Sequence, residues 1–328
     1  MIISIDKKPD SYTKNSFHLW ADVVEMLCVI SLDKEVTRDE FLRRSLSDFK
    51  ENIDFYSNDE EDNDNDENIL EMLSKFTLSR AKEQFGNDVF LNLLSRVTLY
   101  GHNYPFTIEG HIVKMKQDVE RYKPYIALLL SSMLPFLTVN HNDLTSDFEL
   151  ISVNALRKYL GDNFEVFLFG ASSGHTQAEY RSGSKALRFA NLSEQLFGNF
   201  KAKGTEPSLS SSSGDKGVDL IAVRHTGDKQ RGRIVILGQC KCSNKWPDFF
   251  GLNNLGGLIE FFPPHINSMF IPFSFRSADN GWHDESLISN FILFDRYRIL
   301  ALDCFPDWSM IQKTNDMVNA LLLTSEEI

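Results

Sequence analysis

A chain of 328 residues with 42% hydrophobic side chains can bury a real core, as one large domain or two of moderate size. Its longest apolar stretch, residues 125–137, is interrupted by Ser131, Ser132 and Pro135. It falls short of the roughly 18 residues a membrane span needs, which leaves it as a buried core helix and excludes a membrane partner of that kind. The charged N-terminus, MIISIDKKPDS, has no apolar run of signal-peptide type. Four sparse cysteines, Cys28, Cys240, Cys242 and Cys304, form no disulfide framework, so a reduced cytoplasmic protein is expected. The net charge of −12 is unevenly spread: residues 1–150 hold 16 basic against 27 acidic side chains, whereas residues 201–250 hold 9 against 5. Attraction to phosphate follows local potential, so the total does not veto a nucleic-acid partner.

The first half reads as helical. Trp20, Val23, Val24, Leu27 and Ile30 recur near helical spacing after Ser16. A second helix is predicted over residues 37–49, with Thr37 and Glu40 as a capping box. The run NDEEDNDNDEN, residues 58–68, reads as a solvated loop. It lacks the central glycine of an EF-hand loop. Helices follow over 69–85, 89–99, 119–137 and 147–160. After Gly161 the texture changes to strands interleaved with helices. Residues 164–169 form a strand, 185–200 a helix and 203–217 a Gly/Ser-rich loop. Two β-rich runs, 218–224 and 233–242, flank the turn HTGDKQRG. Further strands are expected at 268–273 and 298–302, and further helices at 248–262 and 312–324. The pattern predicts an α/β (α+β) fold, with a mostly helical region over 1–160 and a second domain over 161–328.

The chemistry concentrates on the two β-rich runs. Asp219 and Gln239 are symmetric about residue 229, the middle of the turn, so an antiparallel hairpin sets them opposite each other. Lys241 is two residues beyond Gln239 and shares its face. It borders the apolar strand IVILG, where a lysine needs a partner or a task. Mg²⁺ or Mn²⁺ takes hard oxygen ligands, which the Asp219 carboxylate, the Gln239 amide and the backbone carbonyl of Cys240 can supply. Such an ion polarises a phosphate and acidifies a bound water. Lys241 can orient that water or offset charge building on the phosphate.

GDKGVD at 214–219, followed by a strand, a turn and GQCK at 238–241, resembles the Mrr-type restriction endonucleases of the PD-(D/E)XK superfamily. That family pairs G-D-x-G-[VI]-D with a strand ending in [EQ]-x-K. The matching positions are Gly214, Asp215, Gly217, Val218 and Asp219, then Gln239 and Lys241. The resemblance covers roughly residues 185–245. It implies a restriction-endonuclease-like core, a central mixed sheet flanked by helices, and a metal-dependent endonuclease acting on DNA more than RNA, commonly in microbial anti-phage defence. It also implies a helix glutamate about 25 residues before the aspartate; Glu194 stands there, with Glu179 as runner-up. One departure is Gln239, where superfamily members more often carry glutamate. Glutamine removes a negative charge and weakens metal binding unless Glu194 or Asp215 compensates.

Competing readings attach to each residue. Asp219 alone suits a strand start, Gln239 a polar edge, and Lys241 a snorkelling surface group. Asp215 suits a turn. Cys240-x-Cys242 has no second ligand pair at zinc spacing, and the serines at 209–213 do not resemble a nucleophile elbow. Lys216, Lys229, Arg231 and Lys245 are weak candidates for phosphate contact; Trp246 reads as core. The alternative to an endonuclease is a catalytically weak or inactive nuclease-fold subunit that binds nucleic acid or scaffolds a defence or repair complex. A homodimer or a partner ATPase or sensor subunit is compatible with either.

Overall fold

In the computed structural model, residues 8–9, 16–45, 67–137, 141–170, 174–196, 199–200, 217–228, 230–249, 259–261 and 263–325 are described. The acidic run through residue 66, the serine-rich segment with Asp215 and Lys216, and Lys229 lie outside the described residues.

Helix α1 (Phe17–Ile30) is almost wholly buried and leads through β1 (Glu35–Thr37) into α2 (Arg38–Ser45). The predicted capping box forms: the Thr37 amide donates to Glu40 Oε2 at 2.7 Å and the Glu40 amide to Thr37 Oγ1 at 3.2 Å. Helix α3 (Glu67–Tyr100) is continuous where two helices are expected. Asn87, read as part of a break, lies inside it and accepts from the Arg38 guanidinium. Strands β2 (Phe106–Glu109) and β3 (Ile112–Met115) join β1 in a small antiparallel sheet that the helical reading of this half does not contain. Helices α4 (Val119–Ser132) and α5 (His141–Leu160) follow.

Strand β4 (Phe164–Leu168) opens the main sheet. Short α6 (Ala178–Arg181), α7 (Lys185–Gln195) and β5 (Asn199–Phe200) come before the hairpin β6 (Leu220–Arg224) and β7 (Val235–Cys240). Then come β8 (Ile259–Glu260), β9 (Ile266–Phe270), β10 (Ile292–Phe294), α8 (Arg296–Ala301) and α9 (Gln312–Leu323). Two expectations need correction. Residues 298–301 of the run read as a strand belong to α8, with Leu302 as its C-cap, because the Asp295 carboxylate accepts the Arg298 amide at 3.1 Å and starts a helix there. The strand is the preceding β10. Of the helix expected at 248–262, residues 248–249 end a 3₁₀ turn that begins at Trp246, 259–260 pair as β8 with β5, and 250–258 lie outside the described residues.

The fold is mixed α/β, with a mixed sheet flanked by helices. Strand order is β10-β9-β7-β6-β4. β6 runs antiparallel to both neighbours, and β7, β9 and β10 are parallel. Alternation sends Ile221, Val223, Leu237 and Met269 to the face covered by Phe189 and Leu192 of α7. Leu220, Ala222, Ile236 and Phe270 go to the face covered by Phe148, Ile151 and Leu156 of α5. α5 therefore packs on the sheet although it precedes residue 160. Leu19 of α1 also joins the α7-side core, and Met317, Val318 and Leu321 of α9 close the core formed by α1, α3 and α4. No helix among the described residues is long and apolar enough to cross a membrane.

Candidate active site

The register of the hairpin sets the site. Leu220 pairs with Gly238 and Val223 with Val235, but the Asp219 amide also donates to the Gly238 carbonyl at 2.9 Å, and Val218 and Leu220 join the cores on opposite faces of the sheet, so the ladder slips by one residue at Asp219 and the expected pairing of Asp219 with Gln239 is not formed. On the other side of β6, the Phe169 amide donates to the Asp219 carbonyl at 2.8 Å. Gln239 pairs with Met269 on β9. Phe169, Asp219, Gln239 and Met269 therefore all lie at the end of the sheet where β4, β7, β9 and β10 finish and β6 begins. Lys241 follows at the tip of β7, with its amide donating to the Phe270 carbonyl at 2.9 Å.

Two glycines shape this strand end. Gly217 has φ +76°, and a Cβ there would stand 2.9 Å from Gln239 Nε2. It is needed both for its backbone conformation and for the close approach of the amide. At Gly238 a Cβ would fall 1.7 Å from Leu220 Cδ1, so the hairpin pairs a glycine with a leucine that fills its place. These are the glycine of GVD and the glycine of GQCK.

Gln239 is 4% exposed, and its Oε1 has no hydrogen-bond partner among the described residues. A buried amide oxygen left in that state is costly, and it is the sort of group a bound cation satisfies. Asp219 Oδ2 accepts the Cys240 amide at 2.7 Å, which fixes the carboxylate against the last residue of β7. The thiols of Cys240 and Cys242 turn to the α5 face, opposite Gln239 and Lys241. Burial pushes the Cys240 thiol well above its usual pKa, and the Asp219 and Glu149 carboxylates push the same way. Burial likewise raises Cys242, with Glu149 and Asp219 adding to it and Lys241 opposing. Neither thiol is a ready thiolate, which argues against a Cys240–Cys242 zinc pair. A second acid, Glu149 of α5, 8% exposed, is on the helix that covers the face to which these thiols turn, and its charge raises both of them.

Glu149 is absent from the sequence-derived site. Its signal was a glutamate on the buried stripe of a helix, beside Ser152, Val153 and Leu156 at helical spacing. Glu194, by contrast, is exposed near the end of α7. Its neighbour Gln195 donates to Glu165 at 3.1 Å. Glu165 is four residues before Phe169 on β4, about 13 Å along the strand from the end that holds Asp219. Glu194 is therefore at the far end of the sheet, because α7 runs antiparallel to β4. Glu179 is exposed on α6. Arg231 is exposed at the hairpin tip, five strand residues or about 17 Å from the site. Lys245 is exposed at the site end, and Trp246 is core at 1% exposure, packed on Phe275.

Among the described residues, no three His, Cys, Asp or Glu side chains cluster as a metal site. The oxygen donors carried by this strand end are a carboxylate, an amide and backbone carbonyls, the kind of donor a hard cation takes. Compared with models of protein families, with curated proteins and with solved structures, the chain matches none.

Proposed function

We propose that this chain is a divalent-metal-dependent endonuclease with a restriction-endonuclease-like core, acting on DNA in microbial defence. The reading is carried by one observation: at the strand end where β6 begins and β7 finishes, the Asp219 carboxylate is held by the Cys240 amide, between Gln239, whose buried Oε1 has no hydrogen-bond partner among the described residues, and Lys241. The mixed sheet flanked by α5 and α7 supports it.

Asp219 and the Cys240 carbonyl, with the Gln239 amide at the same strand end, would hold Mg²⁺ or Mn²⁺, and Glu149, on the α5 side of the sheet where the Cys240 and Cys242 thiols lie, is the buried acid proposed in place of Glu194. When bound, the ion supplies Lewis-acid polarisation of a phosphate and a water of lowered pKa. The Cys240 amide holds the Asp219 carboxylate in place, so that carboxylate need not reorganise as charge develops. Lys241 contributes a positive charge at the tip of β7. There it orients the attacking water and offsets negative charge growing on the phosphate oxygens. The apolar layers on both sheet faces exclude water from behind this strand end, which strengthens each of these interactions.

A plasmid-nicking assay with Mg²⁺, with Mn²⁺ and with EDTA tests the reading. Metal-dependent nicking that Lys241→Ala abolishes, with folding intact, is the expected result. Failure to cleave DNA or RNA with either metal would overturn it. A second reading, a nuclease-fold subunit that binds nucleic acid without cutting, is favoured by the glutamine at 239 and by the missing three-ligand cluster among the described residues. Binding without cleavage in the same assay would select it.

A further inference from the structure

The helical half meets the main sheet through a buried ion cluster. Asp22 and Glu25 of α1, Arg96 of α3 and Arg296 of α8 are each at most 1% exposed. Arg96 donates to Asp22 Oδ1 at 2.6 Å, Glu25 Oε1 at 2.8 Å and the His18 carbonyl at 2.7 Å. Tyr104 and Tyr125 donate to Glu25 at 2.7 and 3.0 Å, and Ser132 to Asp22 at 2.7 Å. Four charges out of water persist only when they are paired with one another and hydrogen-bonded in this way.

Arg296 carries the cluster to the sheet. Nη2 reaches Asp22 Oδ2 at 2.8 Å and Nη1 reaches Glu25 Oε2 at 3.3 Å. Nε donates to the Pro272 carbonyl at 2.9 Å, and the backbone amide to the Phe273 carbonyl at 3.0 Å. Pro272 is two residues past Phe270, the residue whose carbonyl receives the Lys241 amide. Across the same strand end, the Ile271 amide donates to the Phe294 carbonyl. One guanidinium thus ties α1 to the strand end on which Lys241 rests.

We infer that Arg296, held by Asp22 and Glu25, is a positioning residue for Lys241, and that the helical half supports the site through it. The placement of Lys241 itself is independent of the proposed chemistry; its effect on turnover rests on the nuclease reading. A planar fork with several donors is needed to bridge two carboxylates and a carbonyl, so lysine cannot replace it.

The experiment is residue-level hydrogen exchange on the full chain, comparing wild type with Arg296→Lys, and with Glu25→Gln should the first variant not fold. Val318→Ala, a core change in α9 away from the strand end, serves as the stability control. The expected result is at least tenfold faster exchange of the Lys241 amide relative to that of Leu237 on the same strand, with no such difference in the control. Equal acceleration of both amides, or no change, overturns the inference. In cleavage assays the expected companion is a tenfold or larger fall in kcat with KM for DNA unchanged. Turnover equal to that of the control also counts against the inference. Loss of cleavage by wild type alone would remove the nuclease reading while the exchange result still decides the positioning.

Discussion

Asp219 and Cys240 are joined by a 2.7 Å hydrogen bond from the cysteine's backbone amide to the aspartate's Oδ2. The carboxylate therefore finishes the hairpin as well as presenting its charge. Asparagine and alanine at 219 separate the two roles. Asp219→Asn keeps an acceptor for the amide and removes the charge, so melting should shift by a few degrees at most while nicking falls at least 100-fold. Asp219→Ala leaves the amide without its acceptor and should cost about 1–3 kcal/mol as well. Denaturant titration beside the nicking assay checks both. Cleavage retained in Asp219→Asn would remove the residue from the proposed chemistry.

Gly238 and Leu220 share one volume, which makes Gly238→Ala a sensitive probe of the hairpin. Its new methyl would fall on Leu220 Cδ1 and press on Ser268 Oγ at 3.0 Å. Overpacking of this kind costs about 1–3 kcal/mol. Leu220→Ala in the same chain should restore part of the loss, because it vacates the contested space. A double-mutant cycle by urea unfolding gives the coupling; strictly additive effects would mean that the two residues do not meet.

The site was legible where its logic is local. Symmetry about residue 229 predicts the hairpin, and the register agrees from Val223 and Val235 to Leu220 and Gly238; the one-residue slip at Asp219 was not legible, because it depends on the Asp219 amide bonding the Gly238 carbonyl. Alternation along one strand likewise separates Lys241 from Cys240 and Cys242. Glu149 was not legible, because its approach depends on how α5 crosses the sheet, 70 residues before Asp219 in the chain. The helix at 296–301 was missed for a related reason: RILAL is apolar enough for a buried strand, and only the Asp295 cap decides for helix. The small sheet β1-β3-β2 pairs segments over 70 residues apart, and its strands are three or four residues long, too short for a period to emerge.

Acid should loosen the joint between α1 and the sheet. His18 is buried at 4% exposure, with its ring 4.9 Å from that of His283. Burial lowers its pKa from 6.5 to about 3; His283, Arg96 and Arg296 lower it too, while Asp22 opposes. The folded state thus prefers the neutral ring. Its contribution is complete above pH 6.5 and is lost as pH falls from there towards 3. Between pH 7 and 5 the loss is about 2 kcal/mol, at 1.36 kcal/mol per unit. Urea midpoints for wild type and His18→Gln should converge as pH drops through this window. Parallel pH profiles would show that another group sets the acid limb.

Glu149 and Glu194 offer the sharpest test of which acid belongs to the site. Glu149 is buried within electrostatic reach of thiols that also feel Asp219, whereas Glu194 is exposed about 13 Å along the sheet. A buried carboxylate beside a cation raises its affinity, and the glutamine at 239 makes that charge more important. Glu149→Gln should therefore raise the Mn²⁺ concentration needed for half-maximal nicking at least tenfold, and weaken Mn²⁺ binding measured by calorimetry in step. Glu194→Gln, on the solvent side of α7, should leave both quantities within twofold of wild type. The reverse pattern would return Glu194 to the site and leave Glu149 as a core residue. Equal, unaltered behaviour of both variants would mean that Asp219, Gln239 and the Cys240 carbonyl hold the metal unaided.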